Sequence, residues 1–198
     1  MPDHYTREEF ERLREPWDAK AKALFEERMS SGYRAPLQHF TEAEAMVLGR
    51  LLEVLIPQSE GIDLVAFVDQ MGNSAMGRGD RPPGLPDPID LMRLGARGLE
   101  EAASALHGRP FGELSQEQIE ALIPMLQDDQ VPGEAWREAP AKMFLQRLYS
   151  RALHGYLAHP LVWMRMGFMG PSFPEGYAWT GRAQVAARHE RHAGWERL

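Results

Sequence analysis

Between Phe40 and Ala158 the apolar residues return every three or four positions, and no run alternates with a period of two. Only helices can bury such a pattern, so strands are expected to be few or absent. The clearest case is Val47, Leu48, Leu51, Leu52 and Leu55, which share one helical face. Thr41 and Glu44 sit three apart just before it, the spacing of a capping box, and Ile56-Pro57 closes it. A second helix is predicted from about Asp63 to Met76, with Leu64, Phe67, Val68 and Met71 inward. A third runs from Ile89 to His107 on Leu91, Leu94, Leu99, Ala102 and Leu106. Ser115 and Gln118 form another box, Leu114 can staple onto Ile119, and that helix reaches about Gln127. A long helix follows from Ala141 to Ala158, striped by Met143, Phe144, Leu148, Leu153 and Tyr156. The expected fold is all-α, a compact bundle of five or six helices.

Both ends extend this body. Residues 6–29 read as a charged helix interrupted near Pro16, and its apolar residues (Phe10, Leu13, Trp17, Leu24, Phe25) are sparse. Such a helix is marginal alone and needs the body or a partner to lean on. At the other end, His154 to Gly181 starts as a helix and breaks at Gly170-Pro171 and Pro174. Its aromatics argue against disorder and for a folded arm that buries them on something. The organisation is then a charged N-terminal extension over 1–39, a helical core over 40–158 and an aromatic, Gly/Pro-rich arm with its tail over 159–198. A short terminal helix is expected at Ala183 to His192. Tyr149 and Tyr156 read as parts of a local aromatic core. Trp163, Phe168, Phe173, Tyr177 and Trp179, taken as lying on irregular backbone, read as partner-binding anchors, because Tyr and Trp bury large areas with few rotatable bonds.

The formal net charge is −7, against the clustered basic face that nucleic acid requires. The absence of cysteine excludes disulfides, thiol catalysis and thiolate-held metals from this chain. No GxGxxG, P-loop or HExxH occurs, so no cofactor is expected in the chain itself. The Arg78-Gly79-Asp80 triplet lies in a Gly/Pro-rich stretch from Gly77 to Pro88 and reads as a loop. No export signal or bilayer-length apolar run is evident, so the expected location is cytoplasmic, or periplasmic if a signal-bearing partner carries the chain out. His154 and His159 straddle a helix end. They support an alternative, a stand-alone helical metal-dependent enzyme, against the plainer reading that they pack or cap. A peripheral scaffold protein is the other alternative. Adjacent carboxylates such as Glu100-Glu101 point apart on a helix and form no acid–base pair.

The ordered pieces Phe40-Thr41-Glu42-Ala43-Glu44, Leu55-Ile56-Pro57, Gly108-Arg109-Pro110-Phe111, Leu114-Ser115 with Gln118, Gly155-Tyr156, His159-Pro160, Gly167-Phe168, Gly170-Pro171 and Gly176-Tyr177 resemble the gluconate 2-dehydrogenase subunit 3 family. The resemblance implies a non-catalytic small (gamma) subunit, all-helical and without a prosthetic group. It would bind a large FAD-dependent flavoprotein of the glucose–methanol–choline (GMC) type and help it mature or be exported. A cytochrome c subunit takes the electrons in many such complexes. Many family members carry a twin-arginine signal, which this sequence lacks, and a glycine-and-asparagine run where this one reads Leu161-Val162-Trp163-Met164. Gluconate, glucose and the C3 position of glycosides all stay open as the site oxidised by the complex.

Overall fold

The computed structural model describes residues 6–15, 17–73 and 84–168. Among them stand eight α-helices and no strand: α1 (Arg7–Leu13), α2 (Ala19–Ser31), α3 (Glu42–Leu55), α4 (Leu64–Gln70), α5 (Pro88–His107), α6 (Gln116–Gln127), α7 (Ala141–Leu157) and α8 (Pro160–Met166). Short 3-10 turns occupy Met71–Asn73, Phe111–Glu113 and Ala135–Arg137. The all-α expectation holds. The count exceeds five or six because the N-terminal segment forms two helices and a further one follows α7.

Local chemistry sets the helix starts. Thr41 accepts from the Glu44 backbone while Glu44 reaches back to the Thr41 N–H at 2.8 Å, and Ser115 and Gln118 repeat the arrangement ahead of α6. Asp87 caps α5 with Pro88 in its first turn, where a missing N–H costs nothing. The same helix ends on Gly108 at φ 65°, a left-handed position that favours glycine. The predicted second helix is shorter than expected: its α-helical part ends at Gln70 and a 3-10 turn carries it to Asn73. Met76 and the Arg78-Gly79-Asp80 triplet lie outside the described residues.

The chain forms two compact units, one from the residues up to Ser30 with those from Ala158 onward, the other from Ser31 to Leu157. In the larger unit α4 lies against α7, α3 against α4 and α5, and α6 against α7. Leu48, Leu51, Met92, Leu99, Phe111, Ile119, Leu122 and Phe144 are wholly buried between them. Asp69 is the one fully buried carboxylate among the described residues of this unit. It accepts the backbone N–H groups of Gln38, His39 and Phe40 at 2.7, 2.9 and 2.8 Å. These bonds pin the entry to α3 onto α4, where no secondary structure pairs that backbone.

The stripe of α7 differs from the expected one. Ala141, Phe144, Leu145, Leu148, Ala152 and Gly155 are buried, whereas Met143, Leu153 and Tyr156 are only half-buried. At Gly155 the inward face needs its smallest residue because a neighbour comes close. A methyl group on Gly155 would meet the Phe67 ring at 2.5 Å. Tyr33 lies on that ring at a centroid distance of 4.8 Å and donates its hydroxyl to the Gly155 carbonyl at 3.1 Å. Leu106, expected inward on α5, shares the Leu99–Ala102–Ala103 face but is 44% exposed, because it sits in the last turn of the helix.

Candidate functional site

The smaller unit is built on aromatic side chains. Three aromatic side chains from α1, α2 and the turn between them converge: Phe10 stacks on Phe25 with centroids 5.4 Å apart, and Trp17 meets both rings edge-on at 6.2 and 5.8 Å. Met164 of α8 completes this buried cluster. Arg14 covers it, with its guanidinium 4.4 Å above the centre of the Phe25 ring. Glu11 at 2.6 Å and Glu26 at 2.5 Å balance the charge, so that an arginine can lie on an apolar cluster. A charged sequence thus hides a real core, and the segment does lean on other parts of the chain.

The helix α8 is tied to α2 by two bonds between backbone and side chain. His159, fully buried, caps α8 by accepting the Leu161 N–H on Nδ1 at 3.2 Å, and donates from Nε2 to the Arg28 carbonyl at 3.0 Å. Arg28 returns a bond from Nη1 to the Ala158 carbonyl at 3.0 Å. This geometry is that of the neutral imidazole with its proton on Nε2. Both ring nitrogens are engaged with backbone, so His159 is the capping residue of the plainer reading. His154 is exposed on α7. Among the described residues no three His, Asp or Glu side chains come together as a metal site.

Burial, with the Arg28 and Arg165 charges, holds the His159 pKa below its usual 6.5, against the opposing effect of the bond to the Arg28 carbonyl. An unfolded chain therefore takes up a proton near pH 6.5 that the folded one refuses. The stability is fully present above pH 6.5 and is lost as pH falls below it, through the folded value. Lowering pH from 7.5 to 5 is expected to loosen the smaller unit, seen as a change in tryptophan emission from Trp17 and Trp163. In His159→Asn, which cannot titrate, the change between pH 6.5 and 5 should disappear; its persistence would assign the effect to other groups.

Trp163 does not lie on irregular backbone as the sequence suggested. It is in α8, whose start His159 and Pro160 define and whose end is Gly167 at φ 72°. Pro160 and Gly167 thus bracket a two-turn helix, and the breaks expected at Gly170-Pro171 and Pro174 lie outside the described residues. Trp163 meets Trp17 edge-on at 6.5 Å and Phe168 at 5.5 Å. Phe168 is 39% exposed. Phe173, Tyr177 and Trp179 lie outside the described residues, as does the terminal helix expected at 183–192. Between α2 and α8 lies a nearly all-apolar groove of about 290 Å³, walled by Trp17, Ala21, Leu24, Phe25 and Trp163, with Asp18, Lys20 and Arg28 at its edge. Sequence reading singled out Trp163 and missed the opposite wall. The signal was present in Trp17, Ala21, Leu24, Phe25 and Arg28, spaced by three and four, but the polar residues between them masked it.

A second hollow, about 530 Å³ and half polar, lies in the larger unit, between Leu55, Gln127, Asp128, Lys142, Leu145, Gln146 and Tyr149. Tyr149, expected in an aromatic core, is 40% exposed there because the buried face of α7 turns toward Leu145, Leu148 and Ala152.

The described residues thus form an all-helical fold with an apolar groove in its smaller unit. The chain belongs to the gluconate 2-dehydrogenase subunit 3 family, whose model matches residues 42–170, and so it is a subunit of a dehydrogenase complex. No curated protein and no solved structure matches it. No helix among the described residues is long and apolar enough to cross a membrane.

Proposed function

We propose that this chain is the non-catalytic small subunit that binds and stabilises a large FAD-dependent dehydrogenase of the GMC type, and helps it mature or be exported. The family match over residues 42–170 carries this reading. The flavin and the oxidation of the sugar or glycoside belong to the large subunit, and a cytochrome c subunit is the expected electron acceptor. The small subunit acts by binding: holding the folded, flavin-loaded partner stabilises it by mass action. Trp163 and Phe168, followed in sequence by Phe173, Tyr177 and Trp179, are the proposed anchors. The Trp163–Phe168 edge supports this, because large aromatics at an accessible edge suit hot spots of association.

Co-expression with a large flavoprotein of the GMC type from the same source tests the reading. A tag on the small chain should recover a second band, a flavin absorption spectrum and sugar-dependent dye reduction. Trp163→Ala with Trp179→Ala should lower the recovered flavin about tenfold or more, the scale of two lost anchors, while helical circular dichroism persists. A colourless single band would reject the subunit reading. Undiminished recovery by the double variant would remove these residues from the interface.

A further inference from the structure

The apolar groove between α2 and α8 has one wall inside the family match and the other outside it. Trp163 falls within residues 42–170, whereas Trp17, Ala21, Leu24 and Phe25 precede them. The groove is thus completed by residues that precede the matched region. Burial of an apolar surface by a partner is favourable, at roughly 25 cal/mol per Å². Leu24 is 45% exposed on this groove, although its neighbour Phe25 is buried at 5%. The aromatic surface continues past Trp163 to the exposed Phe168 ring.

The rim has a sign. The chain carries a net charge of −7, yet two of the three charged residues at the groove are cations, Lys20 and Arg28. The third, Asp18, uses Oδ1 to accept the Ala21 N–H at 2.8 Å and thus serves the start of α2. Lys20 forms no ion pair with any described residue. An apolar slot with a cationic edge, on an otherwise acidic chain, complements an apolar side chain flanked by carboxylates. At about 290 Å³ the groove is at the lower limit of ligand pockets, ~300–1,000 Å³, with room for one or two side chains rather than a large cofactor.

We propose that the α2–α8 groove is a docking slot for a large apolar or aromatic side chain of the dehydrogenase large subunit, flanked there by an acidic residue that meets Lys20. It rests on the subunit reading and adds to it a location and a partner chemistry. Lys20 steers the partner, whereas Leu24 and Trp163 supply the apolar contact.

The test uses the full chain and the purified large subunit, with affinity measured by biolayer interferometry at low and physiological salt. Leu24→Glu, at a half-exposed site that the fold tolerates, is expected to weaken binding tenfold or more. Lys20→Glu should weaken it severalfold and flatten its salt dependence. Met46→Glu, a change on the larger unit at a 58% exposed position, should leave it unchanged. If the parent chain binds and both groove variants bind equally well, the slot is overturned while the subunit reading stands. If the parent chain does not bind at all, the subunit reading fails and the slot with it. A parent chain that is dimeric alone and becomes monomeric with Leu24→Glu would give the groove to a second copy, which also overturns the proposal. Tight binding of the anionic aromatic probe anilinonaphthalene sulfonate that the large subunit does not displace would give the groove to a small molecule, with the same consequence.

Discussion

Asp69→Ala is expected to cost the larger unit about 3–5 kcal/mol, because a buried carboxylate that accepts three backbone donors leaves all three unsatisfied when removed. Hydrogen bonds to a charged group contribute about 1.5–3 kcal/mol each, and a buried donor without a partner costs about 1–3 kcal/mol. The lower part of the summed range applies because the Gln38 and His39 donors are only part-buried and can recover some water. Asp69→Asn should cost less. Its single oxygen can keep the His39 and Phe40 bonds now made to Oδ1, but its amide would face the Gln38 N–H now bonded to Oδ2. The order parent, Asn, Ala in urea midpoint, followed by circular dichroism, checks the account. At about 2–4 °C per kcal/mol for a chain of this size, the Ala variant should melt at least about 6 °C lower. Equal midpoints for all three would mean that the entry to α3 is held by other contacts, such as the bond from Arg93 to the His39 carbonyl.

The second large effect is expected at Gly95, where adding one methyl group should destabilise although alanine is the better helix former. In an exposed helix Gly→Ala gains about 0.5–1 kcal/mol. In α5 the new Cβ would fall 2.0 Å from two carbons of the Phe144 ring. That ring is wholly buried and bounded by Trp136 at 5.7 Å, so it cannot swing aside without displacing a second aromatic. Overpacking of this kind costs about 1–3 kcal/mol, occasionally more, and a contact this short belongs near the upper end. The net expectation for Gly95→Ala is a loss of about 2 kcal/mol or more. Phe144→Leu should then recover part of the loss in the double variant, although alone it leaves a cavity and destabilises. A double-mutant cycle with a favourable coupling energy would establish the direct contact, and simple additivity would refute it.

These two sites differ from the features that the sequence displayed openly. The capping boxes at Thr41 and Ser115, the stop at Ile56 and the face from Val47 to Leu52 are local: each depends on residues three or four apart, and each is found where its spacing put it. The family could be recognised for the same reason, from short pieces in fixed order. Asp69 and Gly95 gave no such signal. One looks like a polar residue near a helix end and the other like a helix defect. Their meaning depends on Phe40 and Phe144, which are 29 and 49 positions away.

The candidate site divides along the same line. Trp163 and Phe168 attracted attention by composition, and the capping role of His159 was among the readings its position allowed. The opposite wall of the groove was hidden, because Trp17, Ala21, Leu24 and Phe25 look sparse along a charged helix and become continuous only against α8. The sequence by itself determined the helical class, most helix boundaries and the family, because backbone capping and hydrophobic period act within a few residues. Only the tertiary structure decided which glycines admit a neighbouring ring, which carboxylate holds a loop, and that the first helices and the last described one share a core. Those outcomes depend on which distant side chains meet, and no spacing along a single helix specifies that.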